Sequence, residues 1–180
     1  MSYHNLKSVL DSQLQQLYAA ELYLAKELKV LFEVAVSKEF KSQLLSHSRE
    51  TQSHVEVLGE LLERRKIGVP ETRCKVMDAL LRRASEVAQS RGDDRLLDLA
   101  LIFIMRKIES YEQGAYEDAK TVAEALNESE IVSILERYIR EEGQQERSWT
   151  VLAEDMVDSL GASAASTKGI EVEQRAKGVE

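Results

Sequence analysis

Glu21, Glu50 and His54 are spaced along the chain almost as Glu112, Glu142 and Glu146 are: the first interval is 29 residues in one half and 30 in the other, and the second is four in both. Carboxylates and imidazoles are metal ligands, and residues four apart point the same way from a helix, so Glu50 with His54 and Glu142 with Glu146 each form a two-armed set. Glu109 and Glu112, three apart, do the same. Such residues in an apolar stripe are strongly disfavoured as free ions. A carboxylate-rich set with one nitrogen donor suits iron or manganese, and one ion cannot use so many ligands. Two metal ions, iron or manganese, are therefore expected at Glu21, Glu50, His54, Glu109, Glu112, Glu142 and Glu146. Two other readings stay open: protons held at raised pKa, and, for any glutamate taken singly, a solvated helix face. Glu109 lies nearest to that second reading.

Four long helices must position these residues. Leu10, Leu14, Leu17, Glu21, Leu24, Leu28 and Leu31 alternate steps of four and three, the seam of a helix from about residue 4 to 36. Ser37 is an N-cap signal, after which Phe40, Leu44, His47, Thr51, His54, Leu58 and Leu61 continue the rhythm to about Lys66. Lys66 to Pro70 should stop that helix, and a shorter one is expected over about Cys74 to Gln89. Asp93 and Asp94 open a third long stripe through Leu97, Leu101, Met105, Ile108, Glu112, Ala115 and Ala119. Asn127 with Glu130 reads as a capping box for a fourth, whose seam is Ile131, Leu135, Tyr138, Glu142, Gln145, Trp149, Leu152 and Met156. Tight links within each pair and a long link between pairs predict an all-α four-helix bundle with one crossover carrying a short extra helix, the ferritin-like topology.

One domain is expected over residues 1–160, with 161–180 a loose tail or one ordered by a partner subunit. The repeated spacing predicts two related hairpins, Glu21 matching Glu112 and Glu50 matching Glu142. His47, on the seam, reads as a core histidine or one that supports the ligands; His4 reads as exposed. Gly143 beside Glu142 permits a local bulge or is simply a packing position. Tyr18, Tyr111 and Tyr138 lie near the carboxylates by register, as aromatic core with hydroxyls tied to them.

Eight Gly and one Pro in 180 residues fit a nearly all-helical chain, and the net charge of −8 argues against a nucleic-acid partner. The basic runs at Arg64-Arg65-Lys66 and Arg82-Arg83 read as solvated faces. A single Cys74 excludes an internal disulfide, and no signal peptide or membrane span is apparent, so a cytoplasmic protein is expected. Ile67, Val69, Val76, Met77, Leu80 and Leu81 around the crossover suggest a homodimer.

The strings Leu17-Tyr18-Ala19-Ala20-Glu21, Glu50-Thr51-Gln52-Ser53-His54-Val55, Lys107-Ile108-Glu109-Ser110-Tyr111-Glu112 followed by Tyr116, and Glu141-Glu142 with Glu146 resemble the YciE/YciF-like branch of the ferritin-like superfamily over about residues 5 to 160. The resemblance implies a bacterial stress-response protein, ferroxidase-like or peroxide-consuming, with a diiron centre that reacts with dioxygen or peroxide. It implies Glu21, Glu50, Glu112 and Glu142 as core carboxylates, His54 and Glu146 as terminal ligands, and Glu109 as an additional or switching ligand. Two departures stand out. Glu50 and His54 are four apart where the wider pattern has three, and Glu146 and Ser110 occupy positions where relatives often carry other ligand types. A function of another class, a helical scaffold with a structural or vestigial metal site, fits the same sequence.

Overall fold

The computed structural model describes residues 3–69 and 74–177, with side chains through residue 162. Five helices follow in order: α1 (Leu6–Val34), α2 (Lys38–Arg64), α3 (Lys75–Ala88), α4 (Asp94–Ala125) and α5 (Ser129–Lys177). Polar caps set three of the starts. Asn5 Oδ1 accepts from the Ser8 N–H at 2.9 Å, with Ser8 Oγ reciprocating at the Asn5 N–H. Ser37 Oγ accepts from Phe40 N–H, and Asp93 Oδ1 from the N–H groups of Arg95 and Leu96.

The expected capping box at Asn127 is a correction. Asn127 has φ of 57° and closes α4 instead of opening α5: its N–H bonds to Glu124 O and the Glu128 N–H to Ala123 O, both at 3.0 Å. Asparagine tolerates the left-handed conformation that this 6→1, 5→2 ending demands. Lys66 makes the same ending for α2, also with φ of 57°, through Ile67 N–H to Leu62 O and Lys66 N–H to Glu63 O. A lysine there is strained by its Cβ, so Lys66→Gly is expected to stabilise the protein by about 0.5–1 kcal/mol. A higher urea midpoint with unchanged m-value would register it. Pro70 lies outside the described residues.

α1 packs on α2 and α4 on α5 as hairpins, and the two hairpins meet mainly where α1 faces α4. α3 lies across α1 and α4 and covers that seam, whereas α2 and α5 touch only sparsely. Met77 and Leu81, expected on a dimer surface, instead face this chain's own core, while Val69 and Val76 are exposed. Arg65 is another correction to a solvated basic run. Its guanidinium bonds Asp11 Oδ1 at 2.7 Å and Glu128 Oε1 at 2.9 Å, tying α2 to α1 and to the α4–α5 turn.

Asp98, on α4 and buried, accepts from the Ser37 N–H at 2.7 Å and the Val36 N–H at 3.1 Å, so it holds the α1–α2 turn against α4. Burial raises its pKa against the opposing effect of those bonds. Asp98→Ala leaves two turn N–H groups without their acceptor and is expected to cost about 2 kcal/mol, with Asp98→Asn losing less because one acceptor oxygen remains. Thermal unfolding of the pair checks this ordering.

The backbone of α5 continues to Lys177, through the segment expected to form a tail. Side chains beyond residue 162 and the last three residues lie outside what the structure describes.

Candidate metal centre

The apolar core is in two pieces. One contains Leu24, Leu28, Phe40, Leu44, Met105 and Trp149; the other contains Leu10, Leu14, Leu58, Leu135, Tyr116 and Tyr138. The register of the four long helices carries Glu21 on α1, His47 and His54 on α2, Glu109 and Glu112 on α4 and Glu142 on α5 into the bundle interior, all with at most 2% of their surface exposed. Their ligand atoms fall into two sets. His47, Glu109, Glu112 and Glu142 offer atoms within 4.8 Å of one another, and so do Glu21, His54 and Glu142. Glu142 belongs to both.

His54 is clasped by carboxylates. Its Nδ1 is 3.2 Å from Glu21 Oε1 and 3.1 Å from Glu142 Oε1, and its Nε2 is 2.9 Å from Glu141 Oε2. Burial disfavours the imidazolium, but the bonds with Glu142 and Glu21 outweigh it and push the pKa up to about 11. Tyr116 donates a short hydrogen bond to Glu21 Oε1, and the Tyr138 ring lies 3.9 Å from the His54 ring. In the other set Trp149 Nε1 donates to Glu109 Oε1 at 3.0 Å, and His47 Nε2 is 3.1 Å from the same oxygen. Burial holds the His47 pKa below its usual value, so this imidazole is neutral.

Burial also raises all four carboxyl groups. Glu109 and Glu142 are pushed up to about 7, Glu112 goes well above the usual range with Glu21 and Glu142 adding repulsion, and Glu21 rises despite its bond to His54. Among the described residues, both oxygens of Glu112, Oε2 of Glu21 and of Glu109, Nδ1 of His47 and Thr51 Oγ1 have no hydrogen-bond partner. Buried polar atoms almost always have one. The donor set fits a pair of divalent cations: four carboxylates balance four positive charges when both histidines are neutral, and the buried carboxylate oxygens without a partner all belong to the set.

Of the sequence-derived ligands, Glu21, His54, Glu109, Glu112 and Glu142 come together. Glu50 is exposed on the flank of α2, and Glu146 faces α4, where it pairs with Arg106 at 3.4 Å and accepts from Thr150 Oγ1 at 3.1 Å. His47 joins the cluster directly. Its signal was present in the sequence, since His47 and His54 are one heptad apart on a single seam. Glu141, Tyr116 and Trp149 also touch site residues. Of the three tyrosines singled out by register, Tyr138 stacks on His54, Tyr111 bonds Cys74 at 2.9 Å, and Tyr18 packs by Gly59. Gly143 sits in uninterrupted α-helix, where an added Cβ would come 3.2 Å from Gln113 Oε1.

The chain matches, over residues 5–160, a family described as a domain of unknown function, DUF892. Protein YciF of Escherichia coli (strain K12) is 25% identical over 166 residues, covering 92% of this chain and all of that protein. The crystal structure of that E. coli stress protein superposes with a TM-score of 0.80, covering 86% of this chain and 98% of the other at 26% identity. YcfI from Rhodopseudomonas palustris gives 0.77 at 26% identity, over 83% and 95% of the two chains. Ferritin-like diiron-carboxylate proteins from Bacillus anthracis str. Ames give 0.66 at 20% identity over 85% and 99%, a likeness of fold.

Proposed function

This chain belongs to the DUF892 family and folds as a ferritin-like bundle, and from that premise we propose that it is a dinuclear metal-carboxylate protein of the bacterial stress response that oxidises ferrous iron with peroxide or dioxygen. The observation that carries the reading is Glu142, shared by two buried ligand sets in which Glu21, Glu109 and Glu112 each keep at least one oxygen without a hydrogen-bond partner among the described residues. Glu109, Glu112, Glu142 and His47 would hold one ion, and Glu21, Glu142 and His54 the other; manganese suits the same donors. Two ferrous ions so held would supply one electron each, enough to convert one peroxide and two protons to two waters.

The chain's own residues do the rest. Glu141 grips His54 at Nε2 and so aims Nδ1 at Glu21 and Glu142, the arrangement in which a carboxylate orients a metal-binding imidazole. The Nδ1 proton must leave when a cation binds. Tyr116 holds Glu21, and Trp149 holds Glu109, each from one of the two apolar clusters that keep water from the layer between them.

A second reading has its own observation. His54 as an imidazolium already places one positive charge between Glu21 and Glu142, as a helical scaffold with a vestigial site would. Metal analysis separates the two. Protein purified without chelator and loaded anaerobically with ferrous ion is expected to hold two ions per chain and to oxidise them on peroxide addition faster than free ferrous ion. Metal content near zero after loading would remove the diiron reading and leave the scaffold. A homodimer is proposed as well, now on the exposed Val69 and Val76, and light scattering giving the 20.4 kDa of one chain would reject it.

A further inference from the structure

The buried layer is closed on most sides. α1 packs on α2 and α4 on α5, and α3 lies over the α1–α4 seam, which leaves the sparse α2–α5 seam. A groove of about 240 Å³ opens there, lined by Gln43, Ser46 and Glu50 from α2 and by Glu141, Gln144, Gln145 and Ser148 from α5. Every lining residue is polar. Glu50 is exposed, while Glu141 is partly exposed and reaches His54 Nε2 at 2.9 Å, so one wall of the groove touches the candidate centre. Gln145 is 8% exposed and its Nε2 has no hydrogen-bond partner among the described residues; the buried Oε1 of Gln43 has none among them either. Gln43 Oε1 as placed and Gln145 Oε1 with its amide turned over, beside two carboxylates, line a space suited to a hydrated cation.

We propose that the α2–α5 groove is the route by which divalent cations reach the buried carboxylates, with Glu50 drawing them in and Glu141 passing them to the His54 side. The proposal rests on the metal-binding reading above. Glu50 supplies negative charge at an exposed position, where it raises the local cation concentration and the association rate. Glu141 lies one residue from Glu142 and contacts His54, so a cation leaving its carboxylate arrives among the inner ligands.

Trp149, the single tryptophan, hydrogen-bonds Glu109, and its fluorescence reports arrival of a paramagnetic ion. Stopped-flow mixing of the full chain with Co(II) therefore gives an uptake rate, and equilibrium dialysis gives the stoichiometry. Ser46→Phe, which places a ring in the groove from an exposed position, and Glu50→Gln are each expected to slow uptake about tenfold while leaving two ions bound at equilibrium. Glu117→Gln, which removes an exposed carboxylate on α4, is expected to leave the rate unchanged. Wild-type rates in both groove variants would overturn the route alone. Loss of stoichiometry in Glu50→Gln would overturn the assignment of Glu50 to the route and make it a ligand, and a wild-type chain that takes up no Co(II) would overturn the metal reading and the route together.

Discussion

Glu112→Leu is expected to melt above the wild type without metal and below it with metal. Both Glu112 oxygens are buried and lack hydrogen-bond partners, and Glu21 and Glu142 repel the charge. Replacing a buried carboxyl group that lacks hydrogen-bond partners by an apolar side chain of similar volume should gain about 2 kcal/mol, or roughly 4–8 °C for a chain of this size. Metal reverses the order. Ions at about a thousand times their Kd stabilise the wild type by about 4 kcal/mol, and Glu112→Leu should lose the His47-side ion and with it much of that gain. Glu21→Leu with Glu142→Leu should abolish binding at both positions but without the same benefit to the metal-free fold, because it strands the Tyr116 hydroxyl and His54 Nδ1. Calorimetric scans with and without ferrous ion under argon check the crossing. Parallel curves for wild type and Glu112→Leu in both conditions would show that Glu112 is no ligand.

Metal-free protein should lose stability as pH rises from about 5 to 8, by something on the order of 3 kcal/mol, and loaded protein should gain it. Glu21, Glu109, Glu112 and Glu142 all have folded pKa values raised above the unfolded 4.5, with Glu109 and Glu142 reaching about 7. Between those values the folded chain binds more protons than the unfolded one. Their stabilising contribution is therefore whole below pH 4.5 and disappears as pH climbs through the folded values. His54, raised from 6.5 to about 11, adds a loss of the same sign above pH 6.5. His47 runs the other way, since burial lowers its pKa and its contribution is lost as pH falls, but it is one group against five. Cations displace the protons, so affinity and loaded stability rise over the same window. Denaturant midpoints at pH 5.5 and pH 8, each with and without metal, test the sign. Equal slopes in the two states would contradict proton–metal competition at this site.

The sequence by itself determined the helices, their pairing and the depth of the polar layer. Apolar seams with steps of four and three, interrupted at Glu21 on α1, at His47, Thr51 and His54 on α2, at Glu112 on α4 and at Glu142 and Gln145 on α5, require helices that bury those positions, and short turns require adjacent helices to be antiparallel. Ser37 and Asp93 as caps were legible for the same local reason: a side-chain oxygen satisfies helix N–H groups a few residues away. Asn127 was not, because a residue that favours both a cap and the left-handed conformation is assigned by the chain's path on either side of it.

Only the tertiary structure decided which flanking residues enter the centre. α4 packs against α1, α3 and α5, so its buried stripe is wide enough to take Glu109 beside Ile108. α2 packs chiefly on α1, so its stripe is narrow; Thr51 fills it, and Glu50, turned 100° away, is left on the open side. On α5 the same rotation from Gln145 carries Glu146 out to Arg106. Spacing along a helix tells which residues share a face, but the number of neighbours around that helix sets how wide the buried face is, and neighbours are a property of the assembled bundle.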